Sequence, residues 1–190
     1  MNAEIKPNTH AGPPDYLAPV FAQYPMEVVH AEGVWLHTRD GRRILDLYGG
    51  HAVAALGYGH PGWTRAIAEQ AKACNFQSNA VPMDVRARAA TRLAKFAGGG
   101  YDSVFFVNSG AEANENALKM AFRMTRRPQV VAVEGSFHGR TAAAGAITWG
   151  AIGKWYEFPK TPFDVAYVPR RDVAAIARTV NEQTAAVVVE

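Results

Sequence analysis

The spacing of apolar positions changes along the chain, and the N-terminal part reads as a hairpin followed by helices. Two runs alternate like strands, Val34–His37 and Arg42–Leu47, and Asp40-Gly41 lies between them. Asp-Gly between alternating runs predicts a β-hairpin. Prolines interrupt residues 16–30, so we expect that stretch to be irregular or briefly helical.

Two helices are predicted after the hairpin. Pro61 suits the first position of a helix that extends over Thr64–Cys74. A second helix should follow Pro82 and end at Gly98–Gly100. Its apolar positions recur at helical spacing and are Val85, Ala89, Leu93 and Phe96.

From residue 103 onward, short apolar strands alternate with helices. The predicted strands are Val104–Val107, Gln129–Glu134, Asp164–Val168 and Ala185–Val189, and the predicted helices are Glu112–Met124 and Val173–Val180. Repeated β-α-β units predict an α/β fold with a parallel sheet covered by helices. Ligands of such sheets bind at the carboxyl ends of the strands. Asn108–Gly110 and Gly135–His138 each follow a predicted strand, so we expect them at one edge.

Composition and charge narrow the class of protein. The chain has 190 residues, 48% apolar and 19% charged, with a net charge of +3, which is a globular composition. Its basic residues lack interleaved aromatic residues, so we expect no nucleic-acid partner. Cys74 is the only cysteine, which excludes an internal disulfide and suits a reducing compartment. No apolar run approaches the ~20 residues of a spanning helix, and residues 1–15 do not resemble a signal peptide. We therefore expect a cytoplasmic protein with no membrane segment.

The turn at Ser109 has two interpretations. A helix leaves its first backbone N–H groups unpaired, and its dipole adds positive charge there, so the turn could bind a phosphate. Ser109-Gly110-Ala111-Glu112 also fits the S-x-x-E capping box. Taken alone, the turn favours the capping box, because capping boxes are far more common.

The loop Glu134–Thr141 carries residue types that suit a flat cofactor and a carboxylate. Phe137 offers an aromatic face for stacking, and Arg140 offers a planar fork for a carboxylate. Gly135 and Gly139 allow another backbone to pass close by. The alternative is a surface loop with an ordinary buried phenylalanine.

In their order along the chain, these segments resemble the class III aminotransferases, which are pyridoxal-phosphate enzymes of fold type I. The matching segments are DGRRILDLYGGHAVAALGYGHP, NSGAEANENALKMA, SFHGRT and TAAVVVE. Within the family the similarity is to the acetylornithine/succinylornithine aminotransferases of arginine metabolism, and it extends from about Tyr24 to Glu190. The resemblance implies a mostly parallel sheet with flanking helices, present here in part. It also implies an arm and part of the small domain over residues 1–58, and the first part of the large cofactor-binding domain over residues 59–190.

The resemblance also implies roles for residues of both loops in binding pyridoxal 5'-phosphate. Ser109, Gly110 and Ala111 would bind the phosphate through backbone N–H groups and the serine hydroxyl. Phe137 would stack on the pyridine ring, and His138 would line the same pocket.

Three further residues are implied to lie at the substrate side. Arg140 would hold the α-carboxylate of the substrate, and Glu190 would lie close to the active site. His51 stands at a specificity position, where it either donates a hydrogen bond to the acyl group or is a structural residue satisfied by backbone. Both readings of His51 stay open.

The catalytic centre itself is not expected in this chain. A pyridoxal enzyme needs a Schiff-base lysine and an acid that keeps the ring nitrogen protonated. None of the lysines here occupies a family Schiff-base position, and in the family both groups come after the position of Glu190. Residues 1–190 alone should therefore be inactive, as an N-terminal part of a longer enzyme. The resemblance implies a homodimer with a small-molecule amino donor and 2-oxoglutarate as substrates. We expect no metal, because nothing completes a ligand set around His30 and His37.

The leading expectation is transfer of an amino group from an N-acylornithine or a similar ω-amino acid to 2-oxoglutarate. One alternative is another class III enzyme, such as a GABA, ornithine or diamine aminotransferase or an aminomutase. A second is a dinucleotide-binding domain, although the turn lacks the G-x-G-x-x-G pattern. A third is a non-catalytic cofactor-binding module.

Overall fold

The computed structural model describes residues 16–18, 20–21 and 23–190. They fall into two units that divide between Met83 and Asp84. The predicted N-terminal arm over residues 1–15 lies outside the described residues. The predicted domain boundary at residue 58 stays a prediction.

The first unit holds a three-stranded antiparallel sheet in the order β1-β2-β3. The strands are β1 (Val28–Glu32), β2 (Trp35–Thr38) and β3 (Arg43–Leu45). The pairing of β2 with β3 confirms the predicted hairpin. The expectation for residues 16–30 was wrong at their end, where β1 begins. The side chains of β1 are mostly exposed, and its apolar residues do not alternate with polar ones. The strand forms through its hydrogen-bonded ladder with β2.

Two elements follow in the first unit: α1 (Gly49–Ala52), a single turn whose residues all have positive φ, and the helix α2 (Pro61–Cys74). The prediction of a helix that begins at Pro61 is confirmed. His60 caps α2, because its Nδ1 accepts a hydrogen bond from the Trp63 N–H at 3.2 Å. The short α1 was not predicted.

The second unit, over the described residues Asp84–Glu190, contains a parallel sheet and four helices. Its helices are α3 (Asp84–Phe96), α4 (Gly110–Thr125), α5 (Ala142–Ala146) and α6 (Val173–Thr179). Of these, α4, α5 and α6 contribute residues to its core. Its strands are β4 (Gln129–Val133), β5 (Asp164–Val168) and β6 (Thr184–Val188). The strand order is β5-β4-β6, and both pairings are parallel. The predicted α/β fold with a parallel sheet is therefore confirmed.

The core lies on both faces of β4. Val130 and Ala132 pack against residues of α4 and of the segment Ala143–Ile147, whereas Val131 and Val133 pack against β5 and α6. Successive side chains of a strand point to opposite faces, so an unbroken apolar run is the pattern of a strand covered on both sides. The buried partners are Leu118, Ala143 and Ile147 on one face, and Val168 and Ala175 on the other.

Two predictions about local structure were wrong. Val104–Val107 is not a strand, because no described strand forms a ladder with it, and Phe105 is 65% exposed. An apolar run predicts a strand only where a partner supplies hydrogen bonds. The predicted elements include no helix between Gly135 and Asp164, yet α5 lies there. The sequence AAAGA is too short to show a helical period, and this helix forms where its residues are buried.

Among the described residues, no helix is both long enough and apolar enough to cross a membrane.

The packing around β4 can be tested at Ile147, which is fully buried. Ile147→Ala should lower the free energy of unfolding by about 2–5 kcal/mol, because it leaves a cavity beside the strand. Ile152 is 58% exposed, so Ile152→Ala is the matched control and should cost less than about 1 kcal/mol. Urea unfolding followed by circular dichroism measures both, and equal losses would contradict the placement of Ile147 in the core.

Candidate active site

The N-terminus of α4 forms the capping interaction that the sequence predicts. Ser109 is the N-cap residue, and its Oγ accepts a hydrogen bond from the Glu112 N–H at 3.2 Å. The Glu112 carboxylate accepts a hydrogen bond from the Asn108 N–H at 2.6 Å. By position, the N–H groups of Gly110 and Ala111 have no acceptor within the helix. A Cβ built on Gly110 would meet no atom of the described residues within 4 Å, so the chain leaves open space beside this residue.

The loop after β4 meets the end of β6. Ser136 is buried, and its hydroxyl donates to the Val133 carbonyl oxygen at 2.7 Å. The Phe137 N–H donates to Oε2 of Glu190 at 2.7 Å. β4 and β6 are adjacent parallel strands, so the two residues meet at the carboxyl edge of the sheet. The side chain of Phe137 is 54% exposed, which leaves a ring face open.

His138 is buried and has an unused ring nitrogen. Its Nε2 has no hydrogen-bond partner among the described residues. Its backbone is held on both sides, because its N–H donates to Oγ1 of Thr148 at 2.9 Å and its carbonyl oxygen accepts from Nδ2 of Asn114 at 2.7 Å. Burial lowers the pKa of the imidazole, and the negative charge of Glu190 opposes part of that shift. The neutral imidazole therefore predominates at pH 7, with one nitrogen available to a further partner.

Gly139 brings the loop against α4. A Cβ built on it would lie 2.6 Å from Cβ of Ala111 and 3.0 Å from Cβ of Ala144, and its φ is +137°. Only glycine combines this backbone conformation with so close an approach. The residue before Arg140 therefore touches the second residue of α4, which places the two predicted loops side by side.

Arg140 is exposed, and the residues after it are fixed by Glu115. Oε1 of Glu115 accepts hydrogen bonds from the Thr141 hydroxyl at 2.6 Å, the Ala143 N–H at 2.7 Å and the Ala144 N–H at 3.2 Å. Burial alone would raise the pKa of the Glu115 carboxyl. These three donors, helped by the charge of Lys119, outweigh burial and lower that pKa.

Asn114 and Glu115 were missed by the sequence reasoning, although a signal exists. Ala111, Leu118 and Phe122 form an apolar stripe along α4 at helical spacing. Asn114 and Glu115 stand where that stripe continues. A polar side chain at a position that should face the core needs hydrogen-bond partners, so it points to a buried contact.

His51 lies in the first unit of the chain. Its φ is +58°, within a run of left-handed residues from Gly49 to Ala52, and its ring packs edge-on against Tyr48 at 4.8 Å between centroids. This geometry decides neither of the readings given to His51, so its role stays a prediction.

His30 and His37 are cross-strand partners in the first unit, and their ring centroids lie 5.5 Å apart. Within the described part of the chain, no group of three or more histidine, cysteine or acidic residues is arranged to hold a metal.

The candidate site is an open surface at the N-terminus of α4. A cavity of about 340 Å³ lies at the carboxyl edge near Arg170 and Glu190, and one of about 460 Å³ lies between α4 and Phe163. Ser109, Gly110 and Phe137 line neither of them and are exposed. This surface therefore offers hydrogen-bond donors and a ring face, and the described residues do not enclose it.

Comparison with known proteins gives consistent matches over most of the chain. The model of the family Aminotransferase class-III matches residues 16–190. Acetylornithine aminotransferase of Streptomyces coelicolor is 42% identical over 165 residues, which are 87% of this chain and 40% of that protein. The chain thus spans about two fifths of the length of this relative.

Solved structures give the same result for the fold. Ornithine aminotransferase from Toxoplasma gondii matches with a TM-score of 0.82 and 25% identity, over 92% of this chain and 42% of that one. Taurine:2-oxoglutarate aminotransferase from Bifidobacterium kashiwanohense, in complex with PLP and glutamate, matches with a TM-score of 0.78 and 26% identity. That match covers 87% of this chain and 42% of the other.

The contact between the loop and α4 can be tested at Gly139. Gly139→Ala should cost about 2–4 kcal/mol of unfolding free energy, because the new methyl group overlaps Ala111 and the backbone is strained. Gly153→Ala is the matched control, since a Cβ there meets none of the described residues within 4 Å, and it should cost less than about 1 kcal/mol. Chemical unfolding of the two variants decides. Tolerance of alanine at residue 139 would show that the loop does not rest on α4.

Proposed function

The chain belongs to the class-III aminotransferase family, and on that premise we propose that it is the N-terminal part of a pyridoxal-phosphate-dependent aminotransferase. The proposed reaction moves an amino group from an N-acylornithine or a similar ω-amino acid to 2-oxoglutarate, in arginine biosynthesis. One observation carries the proposal. The N-terminus of α4, where the first N–H groups have no acceptor within the helix, lies beside a loop that presents an aromatic face and an arginine.

The residues present fit pyridoxal 5'-phosphate. Ser109, Gly110 and Ala111 bind its phosphate through the helix N–H groups and the hydroxyl. The exposed ring of Phe137 stacks on the pyridine, and His138 lines the pocket with a ring nitrogen that has no partner among the described residues. When bound, the cofactor supplies the electron sink for amino-group transfer. The chain's own residues hold it in place and orient it.

The substrate side is formed by Arg140 and Glu190. Arg140 binds the α-carboxylate through its planar fork, which orients the amino acid relative to the ring. Glu190 fixes the backbone of Phe137 and so the stacking face. His51 is proposed to contact the acyl group of the substrate. Residues 1–58 are assigned to the arm and small domain, and residues 59–190 to the large domain.

The exposure of the site supports completion by further protein. Phe137 is largely exposed, and α2 and α3 contain no buried residue. We propose that the Schiff-base lysine and the acid for the ring nitrogen come from outside residues 1–190, and that a second subunit covers the site in a homodimer. Residues 1–190 alone are then inactive. Cys74 is an exposed free thiol, which suits the cytoplasm.

The contribution of Ser109 to phosphate binding can be separated from its contribution to helix capping. Ser109→Asp keeps a good N-cap but places a negative charge where the phosphate binds. Its dissociation constant for pyridoxamine 5'-phosphate should rise at least about tenfold, while the free energy of unfolding changes by less than about 0.5 kcal/mol. Pyridoxamine 5'-phosphate is the probe because it has no aldehyde to react with surface lysines. Calorimetric titration of residues 1–190 measures the affinity.

Two controls define the outcome at Ser109. Pyridoxamine, which lacks the phosphate, should bind weakly and equally to both proteins. Ser103→Ala removes an exposed hydroxyl away from the helix and should leave the affinity unchanged. Equal affinity of the wild-type chain for the two compounds would leave Ser109 as a helix cap only.

The role of His51 can be tested in the complete enzyme. His51→Ala should raise the KM for a succinylated ornithine more than for an acetylated one, because an imidazole can donate to the additional carboxylate. Steady-state kinetics with both substrates measures the ratio. Equal changes in the two KM values would indicate a structural histidine.

A further inference from the structure

A single carboxylate oxygen of α4 caps a different helix. Thr141 is the N-cap residue of α5, and it makes no side-chain cap of its own. Oε1 of Glu115 takes that place by accepting from Thr141 and from the N–H groups of Ala143 and Ala144. Ala143 and Ala144 are buried, and the carboxylate supplies the acceptor for both of their N–H groups.

The preceding residue of α4 holds the other end of the same segment. Nδ2 of Asn114 donates to the His138 carbonyl oxygen at 2.7 Å. His138 lies two residues before Arg140, and Thr141 lies one residue after it. Consecutive side chains of one helix therefore fix the backbone on both sides of Arg140, and Gly139 lies against Ala111 between those two points.

The geometry points to Glu115 as a positioning residue that sets the place of Arg140 relative to the phosphate-binding end of α4. This inference rests on the proposed function. α4 begins at Gly110, five residues or about 7.5 Å of helix before Glu115. One helix therefore carries the phosphate-binding N-terminus and Glu115, whose hydrogen bonds to Thr141, Ala143 and Ala144 hold the segment after Arg140. These hydrogen bonds are called the clamp below. The separation of the two anchors is fixed by the helix rather than by a flexible loop.

Glu115 could be a cap that only stabilises α5 or a positioning residue, and the two roles predict different results. Loss of a cap lowers stability and leaves the kinetic constants of the folded enzyme unchanged. Loss of the clamp displaces Arg140, so it weakens substrate binding in enzyme that is still folded.

The kinetic test uses the complete enzyme below its unfolding temperature. Glu115→Ala should raise the KM for the amino-acid substrate roughly tenfold, with a smaller change in kcat and less than about a twofold change in affinity for pyridoxamine 5'-phosphate. Glu115→Gln keeps a carbonyl oxygen that can accept the same hydrogen bonds, so its KM should return to within about threefold of wild type. The matched control is Asp172→Ala. It removes the acidic cap of α6, where Oδ1 of Asp172 accepts from the Ala175 N–H at 2.7 Å, and should leave the KM unchanged.

A double-mutant cycle with Arg140 shows whether Glu115 acts through it. In an Arg140→Ala background, Glu115→Ala should add less than about a twofold further change in KM, because the residue to be positioned is gone. A full tenfold change in that background would overturn the inference. An unchanged KM in the single Glu115→Ala variant would overturn it as well.

A readout without turnover keeps this inference separate from the proposed function. In residues 1–190, amide hydrogen exchange at Ala143 and Ala144 should accelerate in Glu115→Ala and stay slow in Glu115→Gln. Unchanged exchange in Glu115→Ala would contradict the clamp directly. If the clamp is found but Arg140→Ala leaves the KM of the complete enzyme unchanged, the proposed role of Arg140 fails, and with it the inference that Glu115 positions a substrate anchor.

Discussion

Burial of β4 on both faces is the constraint on which the second unit depends. Its residues Val130–Val133 are at most 7% exposed, and each faces either α4 and α5 or α6. Burying a valine contributes roughly 1.5–3 kcal/mol, whereas a typical hydrogen bond contributes about 1 kcal/mol net. Each buried valine of β4 therefore contributes more than a typical single hydrogen bond of the sheet. Because α4 and α5 share one face of this strand, the N-terminus of α5 is brought beside α4 before any polar contact selects its exact place.

The polar contacts then determine the geometry of the site. Apolar packing is non-directional and does not by itself fix the exact position of α5. The carboxylate of Glu115 and the amide of Asn114 remove that freedom, because a displaced α5 would leave buried N–H groups unsatisfied at about 1–3 kcal/mol each. Gly139 makes the arrangement possible by leaving space for Ala111. The loop that carries Phe137, His138 and Arg140 is thus held against α4 by packing and by hydrogen bonds.

How much the sequence could predict depended on whether the signal was local. The capping motif at Ser109 and the β-branched runs of β4, β5 and β6 are local, and the structure has both. Val104–Val107 carries an equally good strand signal but has no described partner, and α5 forms through burial that its own five residues do not encode. The clamp at Glu115 joins residues 26 to 29 positions apart, so no local pattern could specify its partners. The resemblance supplied Phe137, His138 and Arg140, which spacing alone left open.

In the proposed enzyme, protein that covers the active site would also cover exposed apolar surface. The ring of Phe137 and the apolar faces of α2 and α3 are exposed in the described residues, and each large apolar side chain gains roughly 1.5–3 kcal/mol when it is covered. Protein that covered Phe137 would also enclose the proposed cofactor site, and a bound cofactor would offer that protein a larger surface to bury. Ligand binding and assembly are then linked, since whatever binds only the assembled state stabilises it. In this proposal Glu115 and Gly139 hold the loop beside α4, and the remaining protein would enclose the cofactor against it.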